Sequence, residues 1–156
     1  MEEQNEFMRR AIELSIDNVK NGGGPFGAVI VKDGRIVAEA VNSVTKNNDP
    51  TAHAEVNCIR LACKNLETFH LTECDIYTSC EPCPMCFGAI FFARISKIYF
   101  GNDRKDADDI GFCDRACYED ISRPHSERKI PIVQLMREEA IKAFDYWSEK
   151  ADKIEY

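Results

Sequence analysis

Hydrophobic positions along the chain change from helical to alternating spacing, and the changes mark its elements. Near the start, Phe7, Ala11 and Leu14 follow helical spacing, and the run GGGP that comes next is typical of a helix end. Two apolar runs follow, FGAVIVK and RIVAEAV, with only Asp33-Gly34 between them, a dipeptide that suits a type I′ turn. We therefore predict a helix followed by a β-hairpin.

The rest of the chain alternates between helical and extended patterns. TAHAEVNCIRLACKN is predicted as a helix with Asp49 or Thr51 as its N-cap, so that His53 and Glu55 fall in the first turn. CDIYTS and SKIYFGN are predicted as strands on either side of a helix, PCPMCFGAIFFARI, which two prolines open. Residues 101–126 indicate loop or short helix. IPIVQL is predicted as a strand, and REEAIKAFDYWSEKADK as a closing helix.

The order of these elements is α-β-β-α-β-α-β-β-α, which predicts a mixed five-stranded sheet covered by helices on both faces. We therefore expect an α/β protein with a three-layer α/β/α fold. The chain has 156 residues, close to the usual size of one domain. Because no repeat or linker divides it, residues 1–156 are predicted to form a single domain.

Composition and charge narrow the class of protein. The 44% of hydrophobic and 30% of charged residues are typical of a globular protein. The sequence shows no export signal and no apolar run of membrane-spanning length, so its eight cysteines are expected to be reduced in the cytoplasm. A net charge of -7 disfavours a nucleic-acid phosphate backbone as partner. We expect a small-molecule substrate, and neither a nucleic acid nor a membrane as partner.

Three residues have the chemistry of a zinc site. Imidazole and thiolate are ligands that zinc prefers, and Cys83 and Cys86, three positions apart, project from one face of a helix. With His53 they make three protein ligands, which leaves the fourth tetrahedral position for water, as in catalytic zinc sites. Glu55 lies in the same helical turn as His53 and could take a proton from that water and give it to a leaving group. We expect Zn²⁺ as cofactor.

A closed structural cage is the alternative interpretation, because Cys80 lies three residues before Cys83 and could add a third thiolate. Against it, Cys80 falls at a predicted strand end, outside the helix that aligns the other two cysteines. A closed cage would also give Glu55 no role. Cys113 and Cys117, four positions apart, could form a second metal pair, but no companion pair is evident.

The segments HAE and PCPMC together fit H-x-E…P-C-x-x-C, the signature of zinc nucleobase deaminases. With GGPFGAVIVKDG, NDPTAHAE, YTSCEPCPMC and the terminal IEY, the chain resembles the cytidine deaminase superfamily over nearly all of its length. Within its purine-acting branch the chain looks most like the small bacterial-type guanine deaminases. The resemblance implies that guanine is hydrolysed at C2 to xanthine and ammonia, in purine catabolism or salvage. It also implies that His53, Cys83 and Cys86 bind zinc and that Glu55 moves protons.

The same resemblance implies the substrate contacts. Asn42 would hydrogen-bond the purine, Phe26 would pack against its ring, and Asp114 would hold the amidine edge of guanine, which adenine cannot reciprocate. The alternatives are a turn residue, a core aromatic and a solvated loop aspartate, respectively. Phe92 belongs to a phenylalanine pair where the family has tyrosine and tryptophan, so an indole donor is lost while an apolar stacking surface remains.

The C-terminus has a further implied role. Similar guanine deaminases form homodimers that exchange the C-terminal segment, here about residues 137–156, and the final tyrosine closes the neighbour's pocket. The resemblance thus places Tyr156 at the substrate site, whereas the alternative is a frayed tail. Three other functions stay open: a guanosine deaminase, a tRNA adenosine deaminase, and a zinc-stabilised binding module without chemistry.

Overall fold

The computed structural model describes residues 2–156, with side chains from residue 4 onwards, and it contains two compact units, Met1–Asp114 and Arg115–Tyr156. The elements of the first unit are α1 (Glu2–Lys20), β1 (Gly27–Lys32), β2 (Arg35–Val41), α2 (Val44–Asn47), α3 (Ala54–Asn65), β3 (Cys74–Cys80), α4 (Pro84–Phe92), β4 (Lys97–Asn102) and α5 (Arg104–Asp109). Those of the second unit are α6 (Arg115–Ile121), a 3₁₀ turn (His125–Glu127) and α7 (Arg137–Glu149). In the described chain, every helix is too short or too polar to cross a bilayer.

The four strands form one mixed sheet in the order β2-β1-β3-β4. Strand β1 runs antiparallel to both β2 and β3, while β3 and β4 run parallel and are connected through α4. Asp33 and Gly34 have positive φ angles of 49° and 69°, as both central residues of a type I′ turn require. The predicted hairpin is therefore confirmed.

Helices cover both faces of this sheet. The side chains of β1 point alternately to opposite faces, and those on each face pack against helices. Ala28 and Ile30 lie in a core with residues of α3 and α4, whereas Val29 and Val31 pack with Ala11 of α1. The predicted three-layer α/β/α arrangement is confirmed for the first unit.

The prediction of a fifth strand at IPIVQL is wrong. The sheet has four strands in the described chain, and residues 130–135 are in irregular structure. An extended segment becomes a strand only when a neighbour supplies the ladder hydrogen bonds. Ile130, Val133 and Leu135 are instead largely exposed. Their apolar pattern alone is not sufficient to form a strand.

The predicted N-caps of α3 are also wrong, because the helix begins at Ala54 with His53 as its N-cap. Asp49 instead accepts hydrogen bonds from the Thr51 amide at 2.8 Å and from the Thr51 hydroxyl at 2.7 Å. This local turn uses the Asp49 carboxylate before the helix starts. His53 therefore lies at the helix terminus, and Glu55 lies in the first turn, as predicted.

Candidate zinc and substrate site

Two helix N-termini meet at the candidate site. His53 is the N-cap of α3 and Cys83 is the N-cap of α4, with nearly identical extended backbone angles of -69°/155° and -67°/169°. Pro84 follows Cys83 at the first helical position, which its fixed φ favours, and Cys86 lies in the first turn. Because helix N-termini carry partial positive charge, both ends stabilise anionic groups between them.

The three predicted ligands are at distances that suit zinc. The Nδ1 atom of His53 lies 3.6 Å from the Cys83 sulfur and 3.5 Å from the Cys86 sulfur. Bonds of ~2.3 Å to sulfur and ~2.0 Å to nitrogen at a tetrahedral angle place nitrogen and sulfur roughly 3.5 Å apart. The donor atoms therefore fit a tetrahedral zinc ion that keeps one position for a further ligand.

Cys80 is not part of the metal-binding group that the described residues form. Its sulfur lies 3.9 Å from the Asp103 carbonyl oxygen at the end of β3, and burial raises the pKa of its thiol to about 11. The donor atoms that converge are those of His53, Cys83 and Cys86, so the structure favours three ligands over the closed cage. Cys113 and Cys117 are both exposed, and in the described chain neither belongs to a metal-binding group.

Contacts among the three ligands change their pKa values in different directions. A hydrogen bond with the Cys86 thiol, together with one to His53, lowers the pKa of Cys83 to about 4, against the opposing effect of burial. The bond to Cys83 also raises the pKa of Cys86 and the pKa of His53. Cys83 is thus prepared as a thiolate, the form that binds zinc.

Glu55 is a buried acid next to this group, with 8% of its surface exposed. Burial is the main cause that raises the pKa of its carboxyl above the ordinary value, and the charge of Cys83 adds to the effect. A buried carboxyl with a raised pKa in a cleft is typical of groups that transfer protons. In the described chain Glu55 is not among the metal-binding residues, which agrees with its predicted role.

A cavity of about 270 Å³ opens beside the zinc ligands. Cys86 is fully buried and completes the ligand set. The structure thus gathers on one cavity most of the residues that were predicted for metal, proton transfer and substrate. Six of the predicted residues line it: Phe26, Asn42, His53, Glu55, Cys83 and Asp114.

Asn42 is held in place by the loop that surrounds it. Its side-chain oxygen accepts a hydrogen bond from the Val44 amide at 3.3 Å, and its carbonyl accepts one from the Asn18 side chain at 2.8 Å. Asn18 also donates to the Gly24 carbonyl at 2.8 Å, which ties the loop to α1. The amide nitrogen is a donor that Asn42 can offer to a ligand, and its oxygen keeps a second lone pair.

Phe112 is a site residue that the sequence analysis missed. It lines the cavity, and its ring meets that of Phe26 edge to face, with centroids 4.9 Å apart and planes at 87°. Phe112 belongs to a stretch whose pattern indicated only loop or short helix. The only feature of the sequence that could have indicated a site role for Phe112 is its position two residues before Asp114.

Two other predicted substrate residues are not among those that line this cavity. Phe92 ends α4 with 80% of its surface exposed, and it lies six positions after Cys86, about 240° around the helix. The prediction that Phe92 offers a stacking surface to the purine is not supported by this position. Tyr156 belongs to the second unit, where its ring lies 6.5 Å from that of Trp147, and its role stays a prediction.

Known proteins resemble the chain in both sequence and structure. A profile of the family described as "Cytidine and deoxycytidylate deaminase zinc-binding region" matches residues 1–102. The guanine deaminase of Bacillus subtilis is 50% identical over 151 residues, which are 96% of this chain and 97% of that protein. The X-ray structure of B. subtilis guanine deaminase aligns with a TM-score of 0.95 and 50% identity, over 97% of this chain and 98% of that one.

Deaminases that act on tRNA are also similar, over less of the chain or at lower identity. The tRNA-specific adenosine deaminase of Agrobacterium fabrum is 43% identical over 101 residues, 65% of this chain and 66% of that protein. A structure from a study of tRNA:A34 deaminases aligns with a TM-score of 0.66 at 35% identity, over 83% of this chain and 95% of that one.

Proposed function

The chain belongs to the cytidine and deoxycytidylate deaminase family, and from that membership we propose that it is a zinc-dependent guanine deaminase. It hydrolyses guanine to xanthine and ammonia. The observation that carries the proposal is a three-ligand zinc site and a buried carboxyl on one cavity of nucleobase size. The B. subtilis guanine deaminase is 50% identical over nearly the full length of both chains, and this similarity supports guanine as the base.

In this reaction a bond forms between C2 of guanine and a water oxygen, and the bond from C2 to the amino nitrogen breaks. When bound, zinc supplies a Lewis acid that lowers the pKa of a coordinated water from ~15.7 to ~7. Glu55 accepts the proton that the attacking water releases and then donates it to the departing amino group. His53, Cys83 and Cys86 hold the metal, so Glu55 remains free to carry the proton.

The remaining lining residues orient the base. The Asn42 amide nitrogen donates to a purine acceptor, while the rings of Phe26 and Phe112 provide an apolar wall. The Asp114 carboxylate accepts from the ring N–H and the amino group of guanine. Adenine carries no hydrogen at the equivalent ring nitrogen, so it would leave the carboxylate partly unpaired.

A free base suits this cavity better than a nucleoside or an RNA. Its volume of about 270 Å³ is below the ~300–1,000 Å³ that is usual for drug-sized ligands. Helix α5, which contributes Ala107 to the wall, also carries Asp106, Asp108 and Asp109. Acidic residues at this border and a net charge of -7 would repel phosphates.

Ammonia release from a panel of substrates tests the proposal. The purified chain is incubated with guanine, guanosine, adenine, cytosine and a tRNA anticodon hairpin. Guanine is expected to give the highest rate. A higher rate with guanosine or with the hairpin would assign the chain to one of the alternative activities, and release from none by the zinc-loaded protein would favour a binding module.

The proposed enzyme is a homodimer with exchanged C-terminal segments. In the second unit none of the residues 115–156 is buried, and Ile130, Val133 and Phe144 are each at least 70% exposed. So small a unit without buried residues lacks the apolar burial that would stabilise it alone. A second copy of the chain is the partner that we propose to cover these side chains.

Helix α4 supports the same proposal, because it is apolar around its whole circumference. Cys86 and Ile90 are buried in the first unit, whereas Phe87, Phe91 and Phe92 are 55–80% exposed. A helix that is hydrophobic on every side is normally buried on every side.

We also propose that the protein is cytoplasmic. None of its eight cysteines forms a disulfide, and a reducing compartment keeps cysteines in that state.

Removing residues 153–156 is expected to lower guanine turnover sharply while zinc content and folding stay intact. The physical reason is that Tyr156 would close the neighbour's pocket and exclude water from the hydrogen bonds that hold guanine. Steady-state xanthine formation measures the effect, and elemental analysis with circular dichroism provides the controls. Unchanged turnover in the truncated chain would contradict a role for the tail.

Mixed dimers then test whether the tails cross between subunits. The truncated chain is refolded together with a full-length Glu55→Gln chain, each of which is expected to be nearly inactive alone. With exchange, one site in the heterodimer combines an intact Glu55 with the other chain's Tyr156, so activity returns. No recovery in verified heterodimers would count against exchange.

A further inference from the structure

Glu81 connects two walls of the cavity. It lies between β3 and α4 in the segment CEPC, and its side chain lines the cavity. Its Oε1 atom is 3.0 Å from Nε of Arg104, and its Oε2 atom accepts a hydrogen bond from the Arg104 amide at 3.3 Å. Its own amide donates to the Asn102 carbonyl at 2.8 Å. Both carboxylate oxygens therefore bind the start of the segment that follows β4.

That segment contributes part of the cavity wall. Helix α5 begins with a capping box, in which Asp103 and Asp106 exchange side-chain to backbone hydrogen bonds at 3.0 and 2.9 Å. Beyond the helix, the Phe112 amide donates to the Ala107 carbonyl at 2.9 Å. Ala107, Phe112 and Asp114 all line the cavity. A shift at the start of α5 would therefore move the groups that face the substrate.

We propose that Glu81 and Arg104 are positioning residues, whose ion pair holds Phe112 and Asp114 at the correct distance from the zinc ligands. This inference rests on the proposed guanine deamination and deepens it. Arg104 is not among the residues that line the cavity in the described chain. The carboxylate of Glu81 is engaged by Arg104, so the pair acts on the substrate through the wall that it holds.

The Glu81–Arg104 ion pair is partly exposed, so its loss should affect catalysis much more than folding stability. The side chains of Arg104 and Glu81 are 53% and 24% exposed, and exposed ion pairs contribute little to folding. Reaction rates are much more sensitive, since a misplacement of ~1 Å can cost ~10²-fold. The pair is therefore expected to matter for turnover and substrate affinity, and hardly at all for unfolding.

Arg104→Gln is expected to lower kcat/KM for guanine by about tenfold, mainly through a higher KM, because Phe112 and Asp114 bind the base. Arg104→Lys keeps the charge but not the side-chain geometry and should recover part of the loss. Lys105→Gln is the matched control, since it breaks an ion pair with Asp109 on the same helix and should keep the wild-type kcat/KM. Zinc content and Tm should match the wild type in all three variants.

A double-mutant cycle decides between positioning and direct contact. If Glu81 acts only through Arg104, Glu81→Gln and the double variant should each lose the same tenfold as Arg104→Gln. Losses that multiply to about a hundredfold, or an impaired Glu81→Gln beside a normal Arg104→Gln, would show that Glu81 works independently and would overturn the proposal. An active wild type with unaffected variants would overturn it alone, whereas a wild type without guanine turnover would overturn the proposed function as well.

Discussion

Glu55→Gln is expected to lose at least ~10² and up to ~10⁴ of kcat for guanine while it keeps its zinc. At 1.36 kcal/mol per decade this is about 3–5 kcal/mol of transition-state stabilisation. Glutamine preserves the size and polarity of the side chain but cannot take up and return a proton. KM should stay near the wild-type value, because Glu55 is assigned to proton transfer and not to binding.

Steady-state xanthine formation and elemental analysis on the same preparation measure both halves of this prediction. Glu67→Gln is a matched control, because Glu67 is an exposed glutamate just beyond the C-terminus of the same helix. It should behave as the wild type. Loss of zinc from Glu55→Gln would mean that Glu55 supports the metal, and the assignment of its role would be wrong.

Cys86→Ala is expected to lose both zinc and activity, beyond the ~10–100-fold that changes outside the ligand shell cost. Cys86 is fully buried, and its sulfur is 3.5 Å from the His53 nitrogen, so alanine removes a central donor atom and leaves only two protein ligands. Elemental analysis should find one zinc per wild-type chain and almost none in the variant.

Two other cysteines serve as controls for this loss. Cys80→Ala should retain zinc, because Cys80 is not part of the metal-binding group in the described chain. Cys63→Ala, on the helix that follows His53, should retain both zinc and activity. If Cys80→Ala releases zinc as Cys86→Ala does, the site is a closed cage, and a wild-type value near two would bring back Cys113 and Cys117 as ligands.

The parts of the fold that depend on neighbouring residues could be predicted from the sequence. Asp33-Gly34 sets the type I′ turn through its own backbone preference, and the apolar spacing of α1 sets the face that packs on the sheet. The two cysteine ligands belong to the same class, because the spacing of Cys83 and Cys86 fixes their relation within one helical turn. His53 lies 30 positions before Cys83 and was identified through the deaminase signature instead. The sequence did not reveal that His53 and Cys83 are both N-caps, since helix boundaries shift by one or two residues.

The parts that depend on contacts between distant segments could not be predicted. The pattern of IPIVQL favours a strand, but pairing requires a partner that a local pattern does not identify. Phe112 reaches Phe26 across 86 positions of the sequence, and Arg104 reaches Glu81 across 23, so neither pair has a spacing signal. These contacts form the substrate wall, which explains why the metal site was more predictable than the pocket around it.

The most direct test of a zinc-dependent guanine deaminase is the reaction product formed in water labelled with heavy oxygen. Purified protein of known zinc content is incubated with guanine, and xanthine and ammonia are quantified by mass spectrometry and by ammonia assay. We expect equal amounts of the two products, one heavy oxygen in each xanthine, and a rate that disappears when a chelator removes the zinc and returns when zinc is restored. Zinc-loaded protein that forms no xanthine, or a rate that is unchanged in protein shown to be free of zinc, would contradict it.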